Sequence, residues 1–192
     1  MIIDTIKCYD GSILQRKFAY EYLRKNVVAT GNIIAFRAPA EVSTHLVDLE
    51  DSLSQDFIYS DDMIHFCWEI PNVEPFGAIA FQRLFNTNIA NILSGKIKAM
   101  IEVAGDDLIV HKEHTQGGVT QPKGKASVSI TCVRNHAAIG HLGINVVAGK
   151  RAPAFAFSTN LSDESVSDFM HKGIELFYGI SNDIFVSSTK TV

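Results

Sequence analysis

Residues 123–146 read KGKASVSITCVRNHAAIGHLGINV. The stretch predicts two consecutive strands, about 125–133 and 140–147. Small residues weaken a strand interior, because they bury little apolar area and free the backbone. They also allow a ligand to lie close against a sheet. Alternation puts Lys125, Ser127, Ser129 and Thr131 on one face of the first strand and Ala126, Val128, Ile130 and Cys132 on the other. In the second strand His141, Gly143 and Asn145 share a face, opposite Leu142, Ile144 and Val146. Solvent-facing strands usually carry long charged side chains, whereas here one lysine is followed by three hydroxyls. The short polar faces of these two strands are therefore expected to floor a pocket, with Lys125 and His141 on neighbouring strands at its mouth.

Working outward, the pattern interleaves strands and helices. Met63 to Ile70 alternates, with Ile64, Phe66, Trp68 and Ile70 facing one way and His65, Cys67 and Glu69 the other. Asn32 to Phe36 reads as a strand, as do 97–103, 107–111 and 153–157, with a turn at Ala104-Gly105-Asp106. Ser12 and Gln15 suggest a capping box opening a helix over 13–25. A second helix, about 76–94, carries Phe81, Leu84, Phe85, Ile89, Ile92 and Leu93, with Gly95 beyond its end. A third opens at Ser162, presents Val166, Phe169, Met170, Ile174 and Phe177, and is expected to stop at Gly179. Continuous apolar strands joined by crossover helices are scarce, which argues against a doubly wound parallel sheet. The expectation is an α/β (α+β) fold: a mixed, mostly antiparallel sheet with both long helices packed on it.

Composition bounds the function. A chain of 192 residues, 46% hydrophobic and 20% charged, is sized for one globular domain, 1–192. Its net charge of -4 argues against nucleic acid as a partner, which calls for a basic surplus. Cys8, Cys67 and Cys132 are odd in number and far apart, as expected of free thiols in a reducing compartment. No apolar run is long enough to cross a bilayer, and the start MIIDTIKCYDG does not read as a signal peptide. A cytoplasmic protein with a small-molecule ligand and no membrane partner is expected, with homo-oligomer formation left open.

Lys125, the small-residue strand after it, and GHLGINV at 140–146 resemble the lysine strand and the following His-Gly and Asn-containing strand of the lipoate/octanoate transferases, lipoate ligases and biotin ligases. GDDLIV at 105–110 is similar to the hairpin strand that precedes this lysine in the ligases. This similarity spans 105–147. The whole chain also resembles the uncharacterised family called domain of unknown function 366, through YDG at 9–11, VDLED at 47–51 and MIHF at 63–66. The ligase resemblance implies the fold shared by class II tRNA synthetases and biotin ligases, with an acyl chain lying over the sheet. It implies that Lys125 contacts acyl carbonyl or phosphate oxygens, where an ammonium favours developing negative charge. The chain departs from the family in two places. It has no arginine-led glycine motif near 37–62, so adenylation is not implied. Where the transferases carry a Pro-Cys-Gly turn it reads AGKRAPAFAFS at 148–158, with no thiol, and Cys132 is placed on the face away from the expected pocket.

HLVDLED at 45–51 supplies Asp48, Glu50 and Asp51. As a strand it aligns Asp48 with Glu50; as a loop it forms an acidic cluster. Such groups orient a ribose, hold magnesium or act as acid and base, and they also form ordinary solvated edges. His65 and Glu69 form a similar pair on one strand face. His111, Glu113 and His114 lack the spacing of a zinc site, and TQGGVTQPKGK does not match a nucleotide phosphate loop. No metal site is assigned, and the cofactor is unknown. The reading that results is a binding site, and a candidate transferase, for an acyl or nucleotide-like carboxylic metabolite, built on Lys125 and His141 with Asp48, Glu50, Asp51, His65, Ser127, Gly143 and Asn145 around them. The alternative is a non-catalytic binding or scaffold protein on the same fold.

Overall fold

A computed structural model describes residues 1–54 and 57–190, with residues 49–51 described by their backbone alone. Its centre is a four-stranded antiparallel sheet built from β1 (Asn32–Val42), β2 (Ile58–Pro71), β8 (Ser127–Arg134) and β9 (Ala137–Val147), in the order β1-β2-β9-β8. The chain reaches β8 through β3 (Met100–Ala104), β4 (Asp107–His111) and β7 (Gly124–Lys125), a second small antiparallel sheet. A hairpin of β5 (His114–Gln116) and β6 (Val119–Gln121) lies between β4 and β7.

The register follows from a tight turn. Arg134 pairs with Ala137, and the two residues between them, Asn135 and His136, both hold positive φ, at 48° and 60°. That is the geometry of a two-residue hairpin whose twist matches the strands it joins. Strand β9 therefore begins at Ala137, three residues earlier than the sequence pattern suggests.

One face of the sheet is closed by two helices, α3 (Pro75–Ile97) and α4 (Asp163–Lys190). Helix α3 packs against β8 and β9, and α4 against β1 and β2, so both share one sheet as expected. Ile64, Phe66 and Trp68 meet Phe81, Phe85, Phe169 and Phe177 in a cluster closed to solvent. Ring pairs such as Trp68 with Phe85, 5.4 Å between centroids and inclined at 64°, set edges against faces as the aromatic quadrupole favours. Leu84 falls outside this stripe and is exposed. Helix α3 runs past Gly95 and ends at Lys98, in the left-handed region at φ 50°. Helix α4 starts where predicted, with Ser162 Oγ accepting from the Ser165 N–H at 3.3 Å. It runs through Gly179 to Lys190, because a glycine can sit inside a helix when its neighbours support it.

The opposite face is covered by the amino-terminal segment, including α1 (Phe18–Leu23), a short 3-10 turn (Arg24–Asn26) and Tyr9, Leu14 and Phe18. The expected capping box at Ser12 does not form. Ser12 bonds through both N–H and Oγ to Asp10 Oδ1, a side-chain turn that competes with helix, and α1 begins later at Phe18. Its first turn is held instead by the buried Glu69 carboxylate, which pairs with Arg16 and accepts from the N–H groups of Lys17 at 3.0 Å and Ala19 at 3.3 Å.

One expected strand is corrected, and one open alternative is decided. Residues 153–157 form no strand; one bridge joins Ala156 to Lys125, and Phe157 packs with Val110 and Ala126. Residues 45–51 do not extend as a strand. They run as irregular chain into α2 (Leu49–Ser54), whose first turn is marked by the Ser52 N–H donating to the Asp48 carbonyl at 3.0 Å.

Candidate functional site

A cavity of about 570 Å³ opens over the amino-terminal face of the central sheet and wraps round its β8 edge. Val128 and Ile130 of β8 and His141 and Asn145 of β9 form its floor, Tyr9, Val42 and residues 45–48 one wall, and Pro153, Phe155 and Ala156 another. Asp106, Asp107 and Lys125 stand at the β8 edge. Lys125 and His141 thus line one cavity, as expected, but not from neighbouring strands. Lys125 belongs to β7 of the small sheet, which runs on through Ala126 into β8, the strand that pairs with β9. The chain passes from one sheet to the other at Ala126, whose N–H donates to Leu108 and whose carbonyl accepts from Asn145 N–H, both at 2.9 Å.

The hydroxyl face of β8 is not a ligand floor. Ser127 Oγ accepts from the Leu108 N–H at 2.9 Å, and Thr131 donates to the Ile139 carbonyl at 3.1 Å. Ser129 donates to the His141 carbonyl at 3.0 Å and accepts from Gln82 at 2.8 Å and Asn86 at 3.1 Å, both on α3. One donor and two acceptor lone pairs are thereby all engaged. Ser127 and Ser129 reach the cavity where it wraps round the β8 edge, but with their hydroxyls engaged, while the apolar face, Val128 and Ile130, forms its floor. Cys132 is on that same face, which reverses the side assigned to it from the sequence, yet it packs with Ile130 into the second core and is not part of the cavity wall.

The small residues have a different use from the one expected. A Cβ at Gly140 would lie 2.2 Å from the Trp68 ring, and one at Gly143 would lie 2.3 Å from Met63 Sδ. The strand is flat where the protein's own side chains cross it. Gly143 accordingly does not line the cavity.

His65 and His141 form the buried polar centre of this face, with exposures of 0% and 2%. His65 Nδ1 is 3.0 Å from His141 Nε2, and His65 Nε2 is 3.0 Å from the Ala38 carbonyl. The rings lie between Phe36, stacked on His65 at 4.6 Å, and Tyr9, stacked on His141 at 4.0 Å. Burial disfavours the imidazolium, lowering His65 to about 3 and His141 well below the usual range, with the neighbouring ring adding to the effect on His141. His65 does not work with Glu69, which is committed to Arg16 and α1.

Lys125 Nζ is 2.7 Å from Asp107 Oδ1, and both side chains remain about a third exposed, so the pair can exchange partners with a ligand. Asp48 also lines the cavity. The side chains of Glu50 and Asp51 lie outside the described residues. Asn145 makes its hydrogen bonds through the backbone, to Ala126 and Thr159, and its side-chain amide makes none with the described residues. Among the described residues no three His, Cys, Asp or Glu side chains group as a metal site. Tyr9 was missed as a site residue, although it lies in the YDG segment already singled out. No sequence signal marked Phe155, which sits in the region read as a strand.

No curated protein matches the chain in sequence. Among solved structures it is similar to a protein of unknown function from Pyrococcus horikoshi, at 23% identity and TM-score 0.82, over 100% of this chain and 96% of that one. A biotin protein ligase from Aquifex aeolicus in complex with biotin and ATP aligns at 14% identity and TM-score 0.52, over 92% of this chain and 69% of that one. A putative lipoate protein ligase from T. acidophilum with bound lipoic acid aligns at 12% identity and TM-score 0.50, covering 84% and 79%. At these identities the likeness concerns the fold. No helix among the described residues is long and apolar enough to cross a membrane. The model of the family described as Domain of unknown function (DUF366) matches residues 1–192, and the chain belongs to that family.

Proposed function

We propose that this protein binds a small carboxylic metabolite, acyl or nucleotide-like, in the cavity over β8 and β9, and transfers its acyl group. The observation that carries this reading is the composition of the cavity: an apolar floor of Val128 and Ile130, with a partly exposed ammonium, Lys125, at one end and a buried imidazole, His141, in the floor. A few polar groups at the ends of an apolar cleft are what orients a small amphipathic ligand. The ligase-like fold supports the reading, since its neighbours hold biotin with ATP and lipoic acid. Asp107 occupies Lys125 until a ligand oxygen replaces it. With Asp48, Asp106 and Asp107 around the cavity, a bare phosphate would be repelled, so a carboxylate, ester or neutral sugar suits it better. The three thiols are free, which fits work in the cytoplasm.

The alternative, binding without chemistry, is favoured by the cysteines. No thiol among the described residues lines the cavity, and burial raises the Cys67 thiol far from its reactive range. The test is native mass spectrometry of the purified protein, followed by calorimetry with the carried ligand. Lys125→Ala should weaken binding about tenfold, the loss of one charge-assisted contact. Turnover of an acyl donor supports transfer; binding without turnover supports the alternative; unchanged affinity in Lys125→Ala would sink the placement of the ligand.

A further inference from the structure

We infer that His141 is a fixed hydrogen-bond acceptor for the ligand, so that the cavity selects a carboxylic compound with a neutral N–H or O–H donor at the end remote from its carboxyl group. This rests on the cavity being the ligand site proposed above.

The Ala38 carbonyl can only accept a hydrogen bond. His65 Nε2, 3.0 Å away, must therefore carry a proton. A buried His65 is neutral and has only that one proton, which leaves Nδ1 as a lone pair. His141 Nε2, 3.0 Å from that lone pair, must then be the donor. His141 is neutral in its turn, and its own Nδ1 is left unprotonated. The reverse assignment would face two acceptors across the His65–Ala38 contact, leaving a buried carbonyl without a donor. One backbone carbonyl thus sets the tautomer of both rings, as neighbouring hydrogen bonds generally do for histidine.

His141 Nδ1 bonds to no described residue. It is also not among the nitrogens sealed from solvent without a partner, which include both ring nitrogens of His114. The outlet it has is the cavity that His141 lines. Tyr9, stacked on the ring at 4.0 Å, and Phe36, stacked on His65, keep the pair from turning. A lone pair held in place accepts from a neutral donor and rejects a second carboxylate.

The register gives the length of the ligand. Lys125 lies beside Asn145, which binds Ala126, and His141 is four residues back along β9, about 13 Å at the usual strand rise. Allowing for the reach of the lysine, a chain of about eight carbons spans the two groups.

Octanoate and 8-hydroxyoctanoate serve as the probes, because they differ only in a terminal donor. By calorimetry the hydroxy acid should bind the wild-type protein about tenfold more tightly, the effect of pairing one otherwise unmet polar group. His141→Phe should bring the two to similar affinity. A ratio below about threefold in the wild type would overturn the role of His141 while leaving the acyl site intact. If neither acid binds, the acyl reading itself fails and takes this inference with it. Imidazole nitrogen NMR of the wild-type protein needs no variant: His141 should show a protonated Nε2 and a bare Nδ1, and a proton on Nδ1 overturns the inference.

Discussion

The two faces of the central sheet are made by the same alternation in the same strands, yet they are finished differently. On the helix face, Ile64, Phe66, Trp68, Leu142 and Ile144 meet α3 and α4, and the surface is dry and aromatic. On the other face, His65 and His141 alternate with these residues, and the cover from the amino-terminal segment stops short, leaving a cavity. A period of two tells which residues share a face, but not what covers that face. The helix face supplies stability, and the cavity face holds buried polar groups that cost some of it.

The comparison is sharpest in the core. Phe85→Ala, which removes a ring touching Phe66, Trp68, Phe81 and Phe177, should cost about 4 kcal/mol in urea unfolding. Ile130→Ala, on the half-open face, should cost about 1 kcal/mol. Equal losses would break the contrast.

Acid should act on the cavity face. His65 is held neutral, with its folded value near 3 against 6.5 unfolded, so below pH 6.5 the unfolded chain binds more protons than the folded one. Stability is therefore fully present above pH 6.5 and is lost as pH falls through the window towards 3. One such proton gives about 1.4 kcal/mol per pH unit, or about 3 kcal/mol between pH 6.5 and 4.5. The double variant His65→Gln, His141→Gln should lose that slope, and a wild-type curve that is flat across the window would contradict the neutral pair.

The two glycines of β9 offer a finer comparison, one for each face. Gly140→Ala drives a methyl into the rigid Trp68 ring and should cost about 3 kcal/mol. Gly143→Ala meets Met63 Sδ, the flexible end of a side chain that can swing aside, and should cost about 1 kcal/mol. Reversal of this order in thermal unfolding would mean that the cavity face is the more tightly packed.

Much of the fold was legible because β2, β8, β9, α3 and the start of α4 each gather apolar residues on one face and so carry a period. The meeting of Lys125 and His141 in one cavity could be anticipated from their places on two consecutive strands of small residues. What failed was the step from face to environment. Ser127 and Ser129 have the short polar side chains of a pocket floor, but their hydroxyls satisfy Leu108, His141, Gln82 and Asn86, groups distant in sequence. The handover at Ala126 between two sheets has no periodic signature either. Asp48 was singled out and lines the cavity, but its segment enters a helix whose pattern is too short to read. The link from His65 to His141 depends on the register of β2 against β9, which neither strand encodes alone.

Helix α4 is 28 residues long, yet its buried positions end at Ser181. Thr30 Oγ1 donates to Asn182 at 2.7 Å, and beyond that point all nine residues 182–190 are exposed or only partly covered. This overhang is rich in Ile, Val, Ser and Thr, residues with modest helix propensity, and it is held by its own backbone ladder and by local bonds such as Ser188 Oγ to Phe185. Each terminal turn can therefore unzip without disturbing the sheet. Amide protection should decay along these turns rather than stop at an edge, so that the helix ends as a gradient of opening.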